Sequence, residues 1–251
     1  MRATTDGAPA GALQGVLFDM DGLLVDTEPL WFEVERAVMA RLGGCWTEAD
    51  QRALVGGSLG RSVGYLLSRA SRPAPADEVA QWLVGGMVAL LAQRGAAPMP
   101  GAVELVAAVQ EAGLGCALVT SSERPIMDAV LAGLAGLGVG FAATVCGADV
   151  ANPKPHPEPY LRAAALLGAD PSACVALEDS PNGVASAEAA GCATVAVPSL
   201  APIGERPGRL VARSLADVDL DRLRALLRGG GRGPLAVAGE PVASALVRRS
   251  P

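Results

Sequence analysis

Val16-Leu17-Phe18-Asp19-Met20-Asp21-Gly22-Leu23-Leu24-Val25-Asp26-Thr27 is a short apolar run that breaks on two carboxylates one residue apart. Bounded by Gly15 and Asp21-Gly22, the run reads as a buried strand rather than a helix. Asp19 then sits at the strand's carboxyl end, the edge of an open α/β sheet where ligands bind, and an acid there is costly to bury unless a cation meets it. Three readings compete. Asp-Gly can mark a turn whose acids are merely solvated. A calcium loop fails, because the EF-hand pattern needs a third Asp or Asn and then Gly where this chain has Leu23 and Leu24. The third makes Asp19 a nucleophile and Asp21 its acid/base partner, with a divalent cation holding both charges beside a phosphate. The stretch alone leaves the first and third open.

Composition narrows the classes. Of 251 residues 51% are apolar, enough for one large domain or a core with a smaller insert. The net charge is −6, without a basic run or aromatic-basic interleaving, which argues against nucleic acid as a partner. Met1 to Gly11 lack the apolar core of a signal peptide, and no apolar run approaches membrane-spanning length. The expectation is a cytoplasmic protein without a membrane partner, a monomer or weak homodimer. Cys45, Cys116, Cys146, Cys174 and Cys192 are odd in number and widely spaced, with no Cys-x-x-Cys and one histidine in the chain, so buried free thiols are expected rather than a zinc site. Nineteen of the 20 basic residues are arginine, and the single lysine is Lys154, which suggests a task that a planar guanidinium cannot fill.

Residues before about Leu13 read as a loose leader. Asp26-Thr27-Glu28-Pro29 reads as a helix start, with Thr27 or Asp26 as cap and Pro29 in the first turn. That helix buries Trp31, Val34, Val38 and Met39 and stops at Gly43-Gly44. Up to Pro98 the pattern stays helical and strandless, with helices from Thr47, from Ser58 or Leu59 to Ala70, and from Ala76 to Gln93. This predicts a helical cap domain over 28–98 inserted into an α/β core formed by 13–27 and 99–228. Past Gly101, helices over 102–112, 124–134, 157–167 and 182–190 alternate with strands over 116–119, 143–146, 174–177 and 193–197. Repeated units of this kind imply a Rossmann-like parallel sheet wrapped by helices. A last helix over 215–227 precedes 229–251, expected to be a flexible tail.

Asp19, Asp21, Thr120, Glu178 and Asp179 gather at the strand ends of this arrangement, with Lys154 in the loop Asn152-Pro153-Lys154-Pro155-His156-Pro157. Three acids in one crevice call for a cation, and an all-oxygen ligand set suits Mg²⁺. A hydroxyl and an ammonium beside that metal make a phosphate pocket. On these residues the chain resembles the haloacid dehalogenase superfamily, in its helical-cap branch of β-phosphoglucomutase-like phosphatases. Asp19-Met20-Asp21-Gly22 matches its first motif, Thr120 the second, Lys154 the third and Glu178-Asp179-Ser180 the fourth, over about Leu13 to Leu227.

The resemblance implies that Asp19 attacks phosphorus to form an aspartyl-phosphate. Asp21 protonates the leaving oxygen and then deprotonates the hydrolytic water, a role helped by a raised pKa. Mg²⁺ is implied on the Asp19 and Asp179 carboxylates and the Asp21 main-chain carbonyl, with Glu178 a weaker ligand through water. Thr120 and Lys154 orient the phosphoryl group, and Ser121, Arg61 and Arg124 are substrate-binding candidates. Asn182-Gly183 reads as a helix start rather than a ligand. Dehalogenases lack the second Asp, and phosphonatases need a cap lysine that is absent here. A mutase would want a histidine shortly after the first motif, where Trp31 stands, and a basic residue after Gly56-Gly57-Ser58, where Leu59 stands; His156 reads as structural. The favoured function is hydrolysis of a small phosphomonoester, a sugar phosphate or a short organic-acid phosphate. A sugar phosphomutase and a non-catalytic binding protein on the same fold are the alternatives.

Overall fold

The computed structural model describes residues 12–229. The leader before residue 12 and the tail beyond residue 229 therefore lie outside the described residues. Six strands make one parallel sheet: β1 (Gly15–Phe18), β4 (Gly115–Val119), β5 (Ala143–Val145), β6 (Cys174–Glu178), β7 (Ala193–Ala196) and β8 (Arg209–Val211), in the order β5-β4-β1-β6-β7-β8. Strand periodicity sorts their side chains into two cores. Val16, Phe18, Cys116, Leu118, Val175 and Leu177 join one apolar cluster, whereas Leu17, Ala117, Val119, Cys174 and Ala176 join the other. The first face is covered by residues of α5 (Ala102–Glu111), α6 (Arg124–Ala135) and α9 (Leu220–Arg228), the second by α7 (Glu158–Leu167) and α8 (Pro181–Ala189). β1 is central, paired in register with β4 on one side and β6 on the other. Successive crossovers leave β1 in opposite directions, so the crevice of a doubly wound sheet opens at its carboxyl end.

Between β1 and α5 lie α1 (Glu28–Arg41), α2 (Glu48–Leu54), α3 (Leu59–Arg69) and α4 (Ala76–Arg94). α4 buries Val79, Leu83, Met87 and Leu91, one residue per turn, and packs against α1, α3 and α6. Thr47 and Asp50 close a reciprocal cap on α2, and Ser58 caps α3. Where the chain enters and leaves this helical block, β2 (Val25–Asp26) pairs antiparallel with β3 (Ala97–Pro98).

Several local expectations are corrected. The ribbon β2/β3 breaks the strandless block, since two-residue strands carry no readable alternation. β8 was not foreseen in its Pro- and Gly-rich surroundings. The last helix divides into a 3-10 turn at Leu215–Asp217 and α9, because the Asp219 side chain accepts from Arg222 N and starts a new helix. Of the five free thiols, Cys45 is exposed and the other four are buried. No helix among the described residues is long and apolar enough to cross a membrane.

Candidate active site

Asp19 follows β1 directly, and its N–H donates to Leu177 O at 3.0 Å, which fixes the residue at the mouth of the crevice. Lys154 Nζ lies 2.5 Å from Asp19 Oδ1 and 2.6 Å from Glu178 Oε1, donates to Val119 O at 2.9 Å, and stands 5.2 Å from the centre of the Tyr160 ring. All three hydrogen bonds of the ammonium are thus met inside the protein, which a planar fork could not reproduce. Burial alone would lower the Lys154 pKa, but the charges of Asp19 and Glu178 more than offset it and hold the ammonium above its ordinary value. Glu178 is the last residue of β6 and fully buried; Tyr160 OH donates to the same Oε1 at 2.5 Å.

One ammonium faces several carboxylates here. Asp19, Glu178 and Asp179 are buried and each offers an oxygen within 4.8 Å of the others. Burial, and then the charge of Glu178, raises Asp19 well above the usual carboxylate range against the pull of Lys154. The same two causes, in that order, push Asp179 up to about 8, although Ser199 Oγ donates to its Oδ2 at 2.5 Å. A pocket of hard oxygen donors with excess negative charge fits a divalent cation such as Mg²⁺.

Asp21 is held from two elements. Thr27 Oγ1 (2.7 Å) and Trp31 Nε1 (3.3 Å) donate to Oδ1, while Thr120 Oγ1 (3.1 Å) and Ser122 Oγ (2.8 Å) donate to Oδ2. Of Thr27 and Asp26, the two expected caps, Thr27 stands at the N-cap of α1, but its side chain makes no capping bond and serves the Asp21 carboxylate instead. Gly22 has φ +76°, and a Cβ there would collide with Asp179 Oδ2, which explains glycine after Asp21.

The pocket over these groups is roofed by the helical block. Glu28, Trp31 and Glu35 of α1, Gln51 of α2 and the loop Gly56-Gly57 line its far wall. Asn182 Nδ2 donates to Gly56 O at 3.4 Å, so the roof touches the start of α8. Ser121 lines the pocket with a buried hydroxyl that has no partner. Arg61 and Arg124 are not in the lining. Arg61 is exposed and donates to Ala53 O at 2.7 Å, and Arg124 grips both oxygens of Asp149 at 2.7 and 2.6 Å. Both arginines already have partners on the outer surface. His156 is outside the pocket as well; its ring accepts from Glu158 N at 3.2 Å.

Sequence reasoning missed Ser122, Tyr160, Ser199, Glu28, Glu35 and Gln51. A signal existed for one of them: Thr27, Trp31 and Glu35 recur every fourth residue, a single row on α1 beside the apolar row Leu30, Val34 and Val38. The others come from separate loops and helices, and no local spacing announces them.

Comparison with known proteins bears on this geometry. A family model described as haloacid dehalogenase-like hydrolase matches residues 13–191. The chain is 36% identical over 215 residues to hexitol phosphatase B of Escherichia coli (strain K12), covering 84% of this chain and 92% of that protein. It is 29% identical over 238 residues to phosphoglycolate phosphatase of Salmonella typhi, covering 86% and 91%. A crystal structure of mutant CbbY from Rhodobacter sphaeroides in complex with xylulose-(1,5)bisphosphate matches with a TM-score of 0.75 at 28% identity, over 84% of this chain and 99% of that one.

Proposed function

The chain belongs to the haloacid dehalogenase-like hydrolases, and from that membership we propose that it is a Mg²⁺-dependent phosphatase of a sugar or polyol phosphomonoester, working through an aspartyl-phosphate on Asp19. The observation that carries this reading is the pairing of Asp19 with Lys154 at 2.5 Å beside an Asp21 fixed by four donors, at the carboxyl end of the central strand.

The Asp19 carboxylate attacks phosphorus as the ester oxygen departs, and Asp21 hands that oxygen a proton. The alcohol leaves with its oxygen. Asp21 then takes a proton from a water that attacks the acyl-phosphate at phosphorus; the bond to Asp19 breaks and inorganic phosphate departs. Thr120 and Ser122 orient Asp21, and Ser121 Oγ supplies an uncommitted hydroxyl to the phosphoryl oxygens. Lys154 neutralises Asp19 and meets the incoming phosphate. Glu178, whose Oε1 accepts from both Lys154 and Tyr160, is assigned to positioning that ammonium. The carboxylates of Asp19 and Asp179 and the Asp21 main-chain carbonyl would hold Mg²⁺, which supplies charge neutralisation at the phosphoryl oxygens. Residues 28–98 act as a cap hinged at the β2/β3 ribbon, closing over the substrate and excluding water.

Hexitol, glycolate and xylulose bisphosphate put a neutral chain, a carboxylate and a second phosphate at the far end of the molecule. Phosphorus NMR on a panel of sugar, polyol, glycerol and glycolate phosphates, with Mg²⁺ or with chelator, tests the assignment. Inorganic phosphate should appear only with metal. Silence across the panel, or a phosphate that changes position without release, overturns it.

A further inference from the structure

The far wall of the pocket carries acids and an amide but no base. Glu35 is only 4% exposed and lines the cavity; its Oε2 makes no hydrogen bond of normal geometry, and the protein donor that bears on the carboxyl is the buried indole N–H of Trp46, itself without a well-formed partner. Glu28, nearly two turns before it on α1, is fixed by Gln51 Nε2, which donates to its Oε2 at 3.0 Å and to its main-chain oxygen at 2.8 Å. Among the described residues, Lys154 is the only cation in the lining, and it is already committed to Asp19 and Glu178.

A buried carboxyl oxygen without a partner is costly, and such a group persists where a ligand completes it. The group that completes a carboxyl oxygen is a donor, and a substrate hydroxyl is a donor that carries no charge. A second carboxylate or phosphate would instead have to shed water beside Glu28 and Glu35 with no counter-charge in reach. Burial, and then the charge of Glu28, pushes Glu35 up to about 8 against the pull of the Trp46 indole N–H, so near neutrality it is also able to donate to a hydroxyl oxygen.

We propose that Glu35, supported by the Glu28–Gln51 pair, is the specificity determinant of the pocket, binding a hydroxyl of an uncharged polyhydroxylated leaving group and excluding substrates with a second anionic group. This rests on the phosphatase reading and narrows it to neutral polyol and sugar monophosphates.

The test compares kcat/KM for sorbitol 6-phosphate, phosphoglycolate, fructose 1,6-bisphosphate and p-nitrophenyl phosphate, whose leaving group has no hydroxyl chain. The wild-type enzyme should prefer sorbitol 6-phosphate to phosphoglycolate and fructose 1,6-bisphosphate, which carry a second anionic group, by about a hundredfold or more. In Glu35→Leu the ratio of sorbitol 6-phosphate to p-nitrophenyl phosphate should fall at least about tenfold, chiefly through KM, with Glu35→Gln, which preserves shape and one hydrogen bond, falling between. Equal use of phosphoglycolate or the bisphosphate by the wild type overturns the proposal, as does an unchanged ratio in Glu35→Leu. If that variant does not fold, an unchanged ratio in Glu35→Gln together with a flat wild-type profile has the same consequence. Phosphate release by the wild type keeps the two readings apart: none from any of the four substrates defeats the phosphatase, while release with a flat profile defeats only the specificity.

Discussion

The two walls of the pocket are built to opposite rules. On the sheet side Asp19, Asp21, Lys154, Glu178 and Asp179 all have partners within the protein, contributed by β1, by loops after the strands, and by α1 and α7, and the Ser121 hydroxyl is left open for the phosphoryl oxygens. On the helical side Glu35 keeps an oxygen without a partner. A satisfied polar network is rigid and leaves little for a ligand to add, whereas an unsatisfied group waits for one. The difference separates the two tasks: the sheet wall is preorganised for one reaction, and the helical wall is reserved for recognising what carries the phosphate.

If that division is right, breaking the sheet wall should damage every substrate alike. Asp19→Asn should keep the fold but lower kcat by about 10⁴-fold or more on all phosphomonoesters, because an amide cannot form the acyl-phosphate. Circular dichroism and steady-state kinetics on the same preparation check it, and substantial remaining turnover would remove Asp19 from its role. Lys154→Ala leaves Asp19 and Glu178 buried without their counter-charge and should cost about 3–5 kcal/mol in urea unfolding, while Lys154→Arg should lose more than about tenfold in activity. An arginine tolerated without loss would make the lone lysine an accident of composition.

Disturbing the contact between the walls should have smaller effects, seen in binding. Gly56 has φ +65°, and a Cβ there would collide with the Ser180 side chain, so Gly56→Val should hold the roof open and raise KM about tenfold, with a lesser change in kcat. A KM near the wild-type value would show that roof closure does not depend on this seat.

The smallest effect isolates the helical wall. Glu35 at about 8 and Glu28 at about 7 bind protons in the fold that the unfolded chain, with carboxyls near 4.5, has already released. The stability this supplies is complete below about pH 4.5 and is lost as the pH rises through 7 to 8. Glu35→Gln should therefore show a shallower fall in Tm between pH 6 and 9 than the wild type, the difference amounting to at most about 1.4 kcal/mol per pH unit. Parallel curves for the two proteins would mean that Glu35 is not held protonated.

The same contrast governs what was legible in the sequence. Asp19, Asp21, Thr120 and Asp179 announce themselves because each sits at or just beyond a strand end, where an apolar run stops on a polar residue, and Lys154 because it is the only lysine of the chain. The parallel sheet followed from the alternation of those runs with helices capped by Gly113, Gly168 and Gly191. The helical wall left far less trace. Arg61 and Arg124 drew attention as charges near motifs, yet Ala53 O and Asp149 hold them outside, and neither a main-chain acceptor across a turn nor an acid 25 residues on is marked by a local pattern. Glu35 stayed hidden because an acid beside a buried apolar row looks like part of a solvated face, and its burial follows only from how α1 packs in the tertiary structure.

The central claim is that Asp19 carries the phosphoryl group, and acid quench during steady-state turnover of ³²P-labelled sorbitol 6-phosphate tests it directly. The label should be bound to protein, released by hydroxylamine, and mapped by borohydride reduction to Asp19. Phosphate released with no label on the protein, or label on any other residue, would contradict it.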